Sequence, residues 1–134
     1  MIPDDRYYTN SHVWVKIDEA VVEVGVTEPI LRKLSPLISI ELPEADDEMK
    51  MELPFGELEG LHETRQLYAP VEARITDVHD ELLANLDRLV RDPYGKGWLL
   101  KIRVHDPQEL KNLLTAKAYS AVCSEDLGEE YADD

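Results

Sequence analysis

The chain has 134 residues, of which 43% are hydrophobic and 32% are charged, and its formal net charge is −15. This length and composition are typical of one globular domain with a buried core. The excess of acidic residues argues against nucleic acid and against anionic membrane surfaces as partners, because both would repel the chain. The single cysteine, Cys123, excludes an internal disulfide and a cysteine-based metal cluster.

Two further classes of segment are missing from the sequence. No apolar run approaches the roughly 20 residues that a membrane-spanning helix requires. Residues 1–6 lack the basic and then apolar pattern of a secretion signal. We therefore predict a cytoplasmic protein whose negative charge serves either solubility alone or contact with basic surfaces on other proteins.

The first part of the chain predicts short strands joined by turns. Residues 12–17 alternate between apolar and polar types, which predicts a strand with one wet face. The valine-rich run 20–26 predicts its antiparallel return. Thr27 is expected to cap a short helix that ends at Leu34. Residues 37–42 alternate again and predict another strand.

The second part predicts further strands around an exposed bend. The strands are expected over residues 53–58, 66–69, 71–75 and 98–104. The bend lies at Gly60, Leu61 and His62, between the first two of these strands. The spacing of leucines over residues 82–90 predicts a helix.

The strongest helix signal lies close to the C-terminus. Asp106 is a good N-cap residue, Pro107 occupies the first helical position, and Glu109 completes a capping box. Leu110, Leu113 and Leu114 would form the buried stripe of that helix. We therefore predict a C-terminal helix that begins at about Pro107.

Many short strands with peripheral helices predict a small, mostly β sandwich or barrel. The folded domain is expected to span residues 1–123. Residues 124–134 are acidic, and we predict that they form a disordered tail. His12, Trp14 and Cys123 are expected to be packing residues.

Six segments carry a more specific signal when they are taken in order. They are YTNSHVWV (8–15), VGVT (24–27), IELP (40–43), PFG (54–56), LYAPV (67–71) and DPYGKGWL (92–99). Together they resemble the glycine cleavage system H-protein family, and the likeness covers residues 7–122. The resemblance implies a hybrid barrel-sandwich fold of the lipoyl and biotinyl carrier type. It would have two small antiparallel sheets, a protruding hairpin over residues 53–71 and a C-terminal helix.

The resemblance also implies a carrier position at the hairpin tip. In the family, a lysine at this position holds lipoic acid in an amide bond, and the protein travels between enzymes without being a catalyst. Here the tip residue is His62, and no lysine occurs between Lys50 and Lys96. A stable lipoyl amide needs a primary amine, whereas an acylated imidazole is hydrolysed by water. We therefore predict that the protein carries no lipoyl cofactor.

Other departures from the family pattern lie close to the tip. Gly60 stands where the family usually has serine, and Glu63 stands where it usually has a small residue. Ala73 replaces a glycine of the next turn, whereas Glu59 matches the family. Several changes near one position indicate natural drift or reassignment of the site rather than a single laboratory mutation.

His62, with Glu59, Gly60 and Glu63 beside it, is the candidate site. A histidine can act as an acid, a base or a metal ligand, but an exposed bend also commonly carries solvated polar residues. The spacing matches no strong metal motif, and the chain shows no signature of nucleophilic catalysis and no phosphate-binding loop. We predict no catalytic residue and no metal site.

Two functions follow from these observations. The favoured hypothesis is a non-lipoylated H-protein relative that binds other proteins, in an interaction or regulatory role. Its expected partners are glycine cleavage enzymes or lipoate-handling enzymes, inferred only from the resemblance. The alternative is a working carrier, in glycine cleavage or a related pathway, with altered attachment chemistry at His62 or another residue. An enzyme on this fold has no support in the sequence.

Overall fold

Two antiparallel sheets share one core in the computed structural model, which describes residues 2–19 and 21–132. In spatial order, the larger sheet contains β1 (Tyr7–Tyr8), β2 (Val13–Asp18), β3 (Val21–Val26), β9 (Leu100–Val104), β8 (Ala73–Val78) and β5 (Glu48–Met49). The smaller sheet contains β4 (Leu37–Glu41), β6 (Pro54–Gly60) and β7 (Thr64–Tyr68). All pairings between these strands are antiparallel, which confirms the predicted mostly β fold.

Helices lie at the ends and edges of the sheets. They are α1 (Glu28–Lys33), α2 (Leu86–Arg91) and α3 (Ala116–Leu127), with 3-10 turns at Asp80–Ala84, Pro107–Asn112 and Glu129–Tyr131. None of the helices in the described ranges is long and apolar enough to cross a membrane. The helix predicted over residues 82–90 is divided into a 3-10 turn and α2, with Asn85 in a non-helical conformation between them.

The predicted hairpin is present as strands β6 and β7. The turn between them comprises residues 61–63, and the Gly60 amide closes it by donating a hydrogen bond to the Glu63 carbonyl at 2.8 Å. Leu58 and Leu67 are buried, one from each strand, and anchor the hairpin to the core. Residues on alternate positions face outward. The fold therefore presents the tip at the end of a well-packed pair of strands.

The C-terminal helix begins nine residues later than predicted, at Ala116. Asp106 does cap a helical turn, but that turn is a 3-10 segment that ends at Asn112. The Glu109 carboxylate accepts a hydrogen bond from the Glu72 amide at 2.9 Å, so it does not close a capping box. Extended backbone at Leu114, which exchanges two 2.8 Å hydrogen bonds with Tyr8, prevents the turn from continuing into α3.

The predicted disordered tail is wrong for residues 124–132. Helix α3 continues past residue 123 to Leu127, so the domain does not end at 123. Cys123 and Leu127 lie one helical turn apart and are both buried. The Cys123 thiol donates a hydrogen bond to the Tyr131 carbonyl, and the Arg32 guanidinium lies 5.0 Å from the Tyr131 ring. Residues 133 and 134 of the predicted tail lie outside the described residues.

Strand β2 is more deeply buried than its alternation indicated. Val13, Trp14 and Val15 are all inaccessible to solvent, whereas Ile17 is 41% exposed. The Trp14 indole occupies the space above Gly25, where an added Cβ would lie 2.3 Å from the ring. The Arg6 guanidinium covers the indole at 4.6 Å. The expected wet face is therefore covered along the first half of the strand.

Candidate functional site

His62 is exposed at the hairpin tip and stands alone. Within the described part of the chain it makes no hydrogen bond and no ion pair. Its neighbour Leu61 is 59% exposed, which makes it the most exposed of the large hydrophobic side chains in the described ranges. The tip therefore offers one imidazole and one apolar side chain to solvent.

The two glutamates beside His62 point to other partners. The Glu59 carboxylate accepts a hydrogen bond from the Ser39 hydroxyl at 2.7 Å, across the β4–β6 pairing. The Glu63 carboxylate accepts one from Arg65 Nε at 2.6 Å. The described residues contain no group of three His, Cys, Asp or Glu side chains that could hold a metal ion. The structure thus does not assemble His62 with Glu59 and Glu63.

Gly60 brings the end of β6 onto the end of helix α1. Gly60 is buried, and an added Cβ would lie 2.2 Å from the Leu34 carbonyl oxygen. The next amide, of Leu61, donates a hydrogen bond to the Pro36 carbonyl at 3.2 Å. A serine at position 60 would therefore force the two backbones apart. This steric constraint explains why glycine occupies the position.

Three carboxylates form an acidic face on the outside of the smaller sheet: Glu41, Glu57 and Glu59. Glu57 lies directly opposite Glu41 on the neighbouring strand. The hydrogen bond that it shares with the Glu41 carboxyl raises the pKa of Glu57. No cation pairs with these three carboxylates in the described ranges. Like charges on directly opposed strands are unfavourable, and here they leave one face of the hairpin negative.

The strand that leaves the tip is tied to the C-terminal helix by an arrangement that the sequence did not reveal. Asp126 Oδ2 accepts a hydrogen bond from Arg65 Nη1 at 2.8 Å and another from His12 Nε2 at 2.6 Å. We call this three-residue contact the Asp126 bridge. His12 is buried, which confirms its predicted packing role. No local signal could have joined it to Arg65 and Asp126, because the three residues belong to separate elements.

The hydrogen bonds around His12 assign the positions of the protons. An ionised Asp126 can only accept, so Nε2 of His12 carries the proton that is shared with it. Burial lowers the pKa of His12, which keeps the ring neutral, although Asp126 opposes this effect. Nδ1 therefore accepts from the Tyr119 hydroxyl at 2.7 Å, and the Tyr119 oxygen accepts from the Thr27 hydroxyl at 2.6 Å. Thr27, which was predicted to cap α1, does precede that helix, but its side chain makes no capping hydrogen bond.

A cavity of about 510 Å³ lies at the base of the hairpin. Its lining includes Tyr8, Ser11, Met51, Tyr68 and Leu113. His62 is not among its lining residues, so the cavity and the tip are separate features.

The family model described as glycine cleavage H-protein matches residues 6–126. The chain belongs to the glycine cleavage H-protein family. The glycine cleavage system H proteins of two Staphylococcus epidermidis strains are each 36% identical to it over 124 residues, covering 92% of this chain and 98% of the relative. The crystal structure of a glycine cleavage system H protein from Mycobacterium marinum matches it with a TM-score of 0.81 at 30% identity. That match covers 90% of this chain and 97% of the other.

Family membership confirms the expectation that the protein is not an enzyme, and it supports the expectation about partners at the level of the family. H-proteins are carrier proteins and not enzymes, and members of the family interact with glycine cleavage enzymes. The architecture of two antiparallel sheets with a C-terminal helix is that of an H-protein.

Proposed function

We propose that this H-protein relative is not lipoylated and acts by binding other proteins through its hairpin. The observation that carries the proposal is the tip: His62 occupies it, and no lysine lies between Lys50 and Lys96. An amide to lipoic acid requires a primary amine, and an acylated imidazole transfers its acyl group to water. The hairpin would therefore present a surface and would hold no cofactor.

The surroundings of His62 favour binding over new carrier chemistry. Activation of an imidazole as a nucleophile normally requires a second group that removes or orients its proton. Glu59 and Glu63 are engaged with Ser39 and Arg65 instead. A histidine is also too short to move a substrate between distant active sites as a lipoyl-lysine arm does. The alternative of an altered carrier at His62 therefore has less support.

The chemistry of the hairpin defines the surface that a partner would need. The exposed Leu61 side chain offers an apolar contact at the tip. The acidic face of Glu41, Glu57 and Glu59 lies on the same hairpin sheet, and no cation from the described part of the chain pairs with it. Opposite charge accelerates the encounter of two proteins and selects between partners. We propose that the partners are glycine cleavage or lipoate-handling enzymes with basic docking surfaces, in the cytoplasm.

Association rates with these enzymes, prepared from the same organism, would test the proposal. We expect binding that slows as salt rises, because the Debye length falls from about 10 Å at 0.1 M to about 3 Å at 1 M. The double variant Glu57→Lys with Glu59→Lys should slow association by about tenfold at low salt. Asp18→Lys with Asp87→Lys is the matched control, since it changes the net charge equally at exposed positions outside the hairpin sheet.

The outcomes separate the parts of the proposal. If none of the candidate enzymes binds, docking as the function is refuted. If one binds and both double variants slow it equally, the attraction belongs to the net charge and not to the acidic face. If the hairpin variant alone slows association, the acidic face is the docking surface.

A further inference from the structure

The hairpin is held on both strands immediately behind its tip. On β6, Gly60 lies against Leu34 at the end of α1. On β7, Arg65 extends from the hairpin to α3, donating through Nη1 to Asp126 at 2.8 Å and through Nε to Glu63 at 2.6 Å. One guanidinium thus connects the turn of the hairpin to the C-terminal helix.

The core of the protein orders the carboxylate that Arg65 contacts. Asp126 Oδ2 also accepts the hydrogen bond from His12 Nε2, and the His12 side chain is only 2% exposed. Tyr119, which lies about two turns before Asp126 on α3, donates a hydrogen bond to the other nitrogen of the same ring. Asp126 is therefore an anchored group and not a mobile surface side chain.

This anchoring makes the contact stronger than an ordinary surface ion pair. A pair of mobile surface side chains contributes little, because ordering both of them offsets the attraction. Here Asp126 is already ordered, and Arg65 makes two charge-assisted hydrogen bonds in one orientation. Partial burial raises the pKa of Asp126, but the hydrogen bonds from His12 and Arg65 outweigh it and the net shift is downward. The carboxylate is therefore ionised when it meets Arg65.

We infer that the Asp126 bridge couples the C-terminal helix to the hairpin, so that the tip keeps its position only while α3 remains docked. Withdrawal of Asp126 would release β7 and loosen the turn at residues 61–63. Coupling of this kind is reciprocal. A partner that pulls on the end of α3 would free the tip, and a partner that grips the tip would favour the docked helix. The coupling does not depend on which protein binds the tip or on the chemistry of His62.

Amide hydrogen exchange on the full chain tests the coupling without any partner. The reporter is the Gly60 amide, which is hydrogen-bonded to Glu63 across the turn. We expect Asp126→Asn and Arg65→Gln each to accelerate exchange at Gly60 and over residues 64–67 by about fivefold, the ratio expected for a lost ion pair of this kind. Arg65→Lys keeps a cation within reach of Asp126 and should retain most of the protection.

The double variant and a matched control make the test specific. Asp126→Asn combined with Arg65→Gln should accelerate tip exchange no more than Arg65→Gln alone, because the Arg65 change already removes the contact with Asp126. Arg74→Gln, which breaks the exposed pair with Asp46, should leave the tip unchanged. The inference is overturned if tip exchange is unaffected in both single variants. It is also overturned if amides of the β3–β9 pairing accelerate by the same factor as the tip, since the bridge would then serve only global stability.

Discussion

The tip of the hairpin and the strands directly behind it differ sharply in how they are held. At the tip, His62 and Leu61 are exposed, and His62 has no partner in the described residues. A few residues away, Gly60 is pressed against α1 and Arg65 is bonded to α3. The contacts behind the tip thus hold the tip residue in place in this H-protein relative, although that residue lacks the amine of a lipoyl carrier. A fixed display suits recognition by a protein partner.

The largest expected effect comes from removing the close approach behind the tip. Gly60→Ser places a Cβ about where the Leu34 carbonyl lies, and the backbone oxygen cannot rotate away. We expect a loss of about 3 kcal/mol in the free energy of unfolding, measured by urea denaturation. Gly95→Ser is the control, because the three atoms nearest to its added Cβ all belong to the Asp92 carboxylate, which is a side chain and not backbone. Similar losses in both variants would show that Gly60 has no special steric role.

A smaller effect should appear in the pH dependence of stability. Burial lowers the pKa of His12 below its ordinary value of 6.5, so the unfolded chain takes up the proton more readily than the folded one. The contribution of His12 to the free energy of unfolding is therefore fully present above about pH 6.5. It is lost as the pH drops below that value, by at most about 1.4 kcal/mol per pH unit. Asp126 does not contribute in this range, because its pKa is lowered from an already acidic value of 3.8.

His12→Asn isolates that contribution. Asparagine tolerates the left-handed backbone at this position, where φ is 70°, but it does not titrate. Denaturation between pH 5 and 7 should show a shallower slope for this variant than for the wild type. If the slope is the same for this variant and for the wild type, the buried histidine is not the titrating group.

The smallest effect is expected on the acidic face. Glu57→Gln removes one of two carboxyl groups that lie opposite each other, and the repulsion at neutral pH is lost with it. The thermal midpoint should rise slightly at pH 7 and should not change at pH 4, where protonation relieves the same repulsion. A lower midpoint at pH 7 would mean that the carboxylate stabilises the sheet in a way that its contacts do not explain.

The parts of the molecule that the sequence predicted well are those with local signals. The hairpin is one of them, because its two strands are joined by a turn of residues 61–63 and their alternation is visible in the chain. The cap at Asp106 is also real, but its local signal could not show that Leu114 would pair with Tyr8 and stop the helix. Local reasoning identifies where a helical turn starts more readily than how far it extends.

The Asp126 bridge is a contact between residues far apart in the sequence, which local signals cannot predict. Arg65 and Asp126 are separated by 61 positions, and His12 and Asp126 by 114. Each residue alone has an ordinary explanation as a surface charge or a packing histidine. The acidic composition of the last residues predicted disorder, whereas the burial of Cys123 and Leu127 orders this segment and brings Asp126 to the hairpin. Only the folded structure shows that these three residues meet.

Intact mass after incubation with lipoate ligase, lipoate and ATP tests the central claim most directly. The wild-type chain should stay at its unmodified mass, because the exposed tip offers an imidazole and no primary amine. His62→Lys restores the amine at the same exposed position and should gain at least a fraction of lipoyl adduct, which shows that the assay can detect modification of this hairpin. A stable lipoyl adduct on any residue of the wild-type chain would contradict the account.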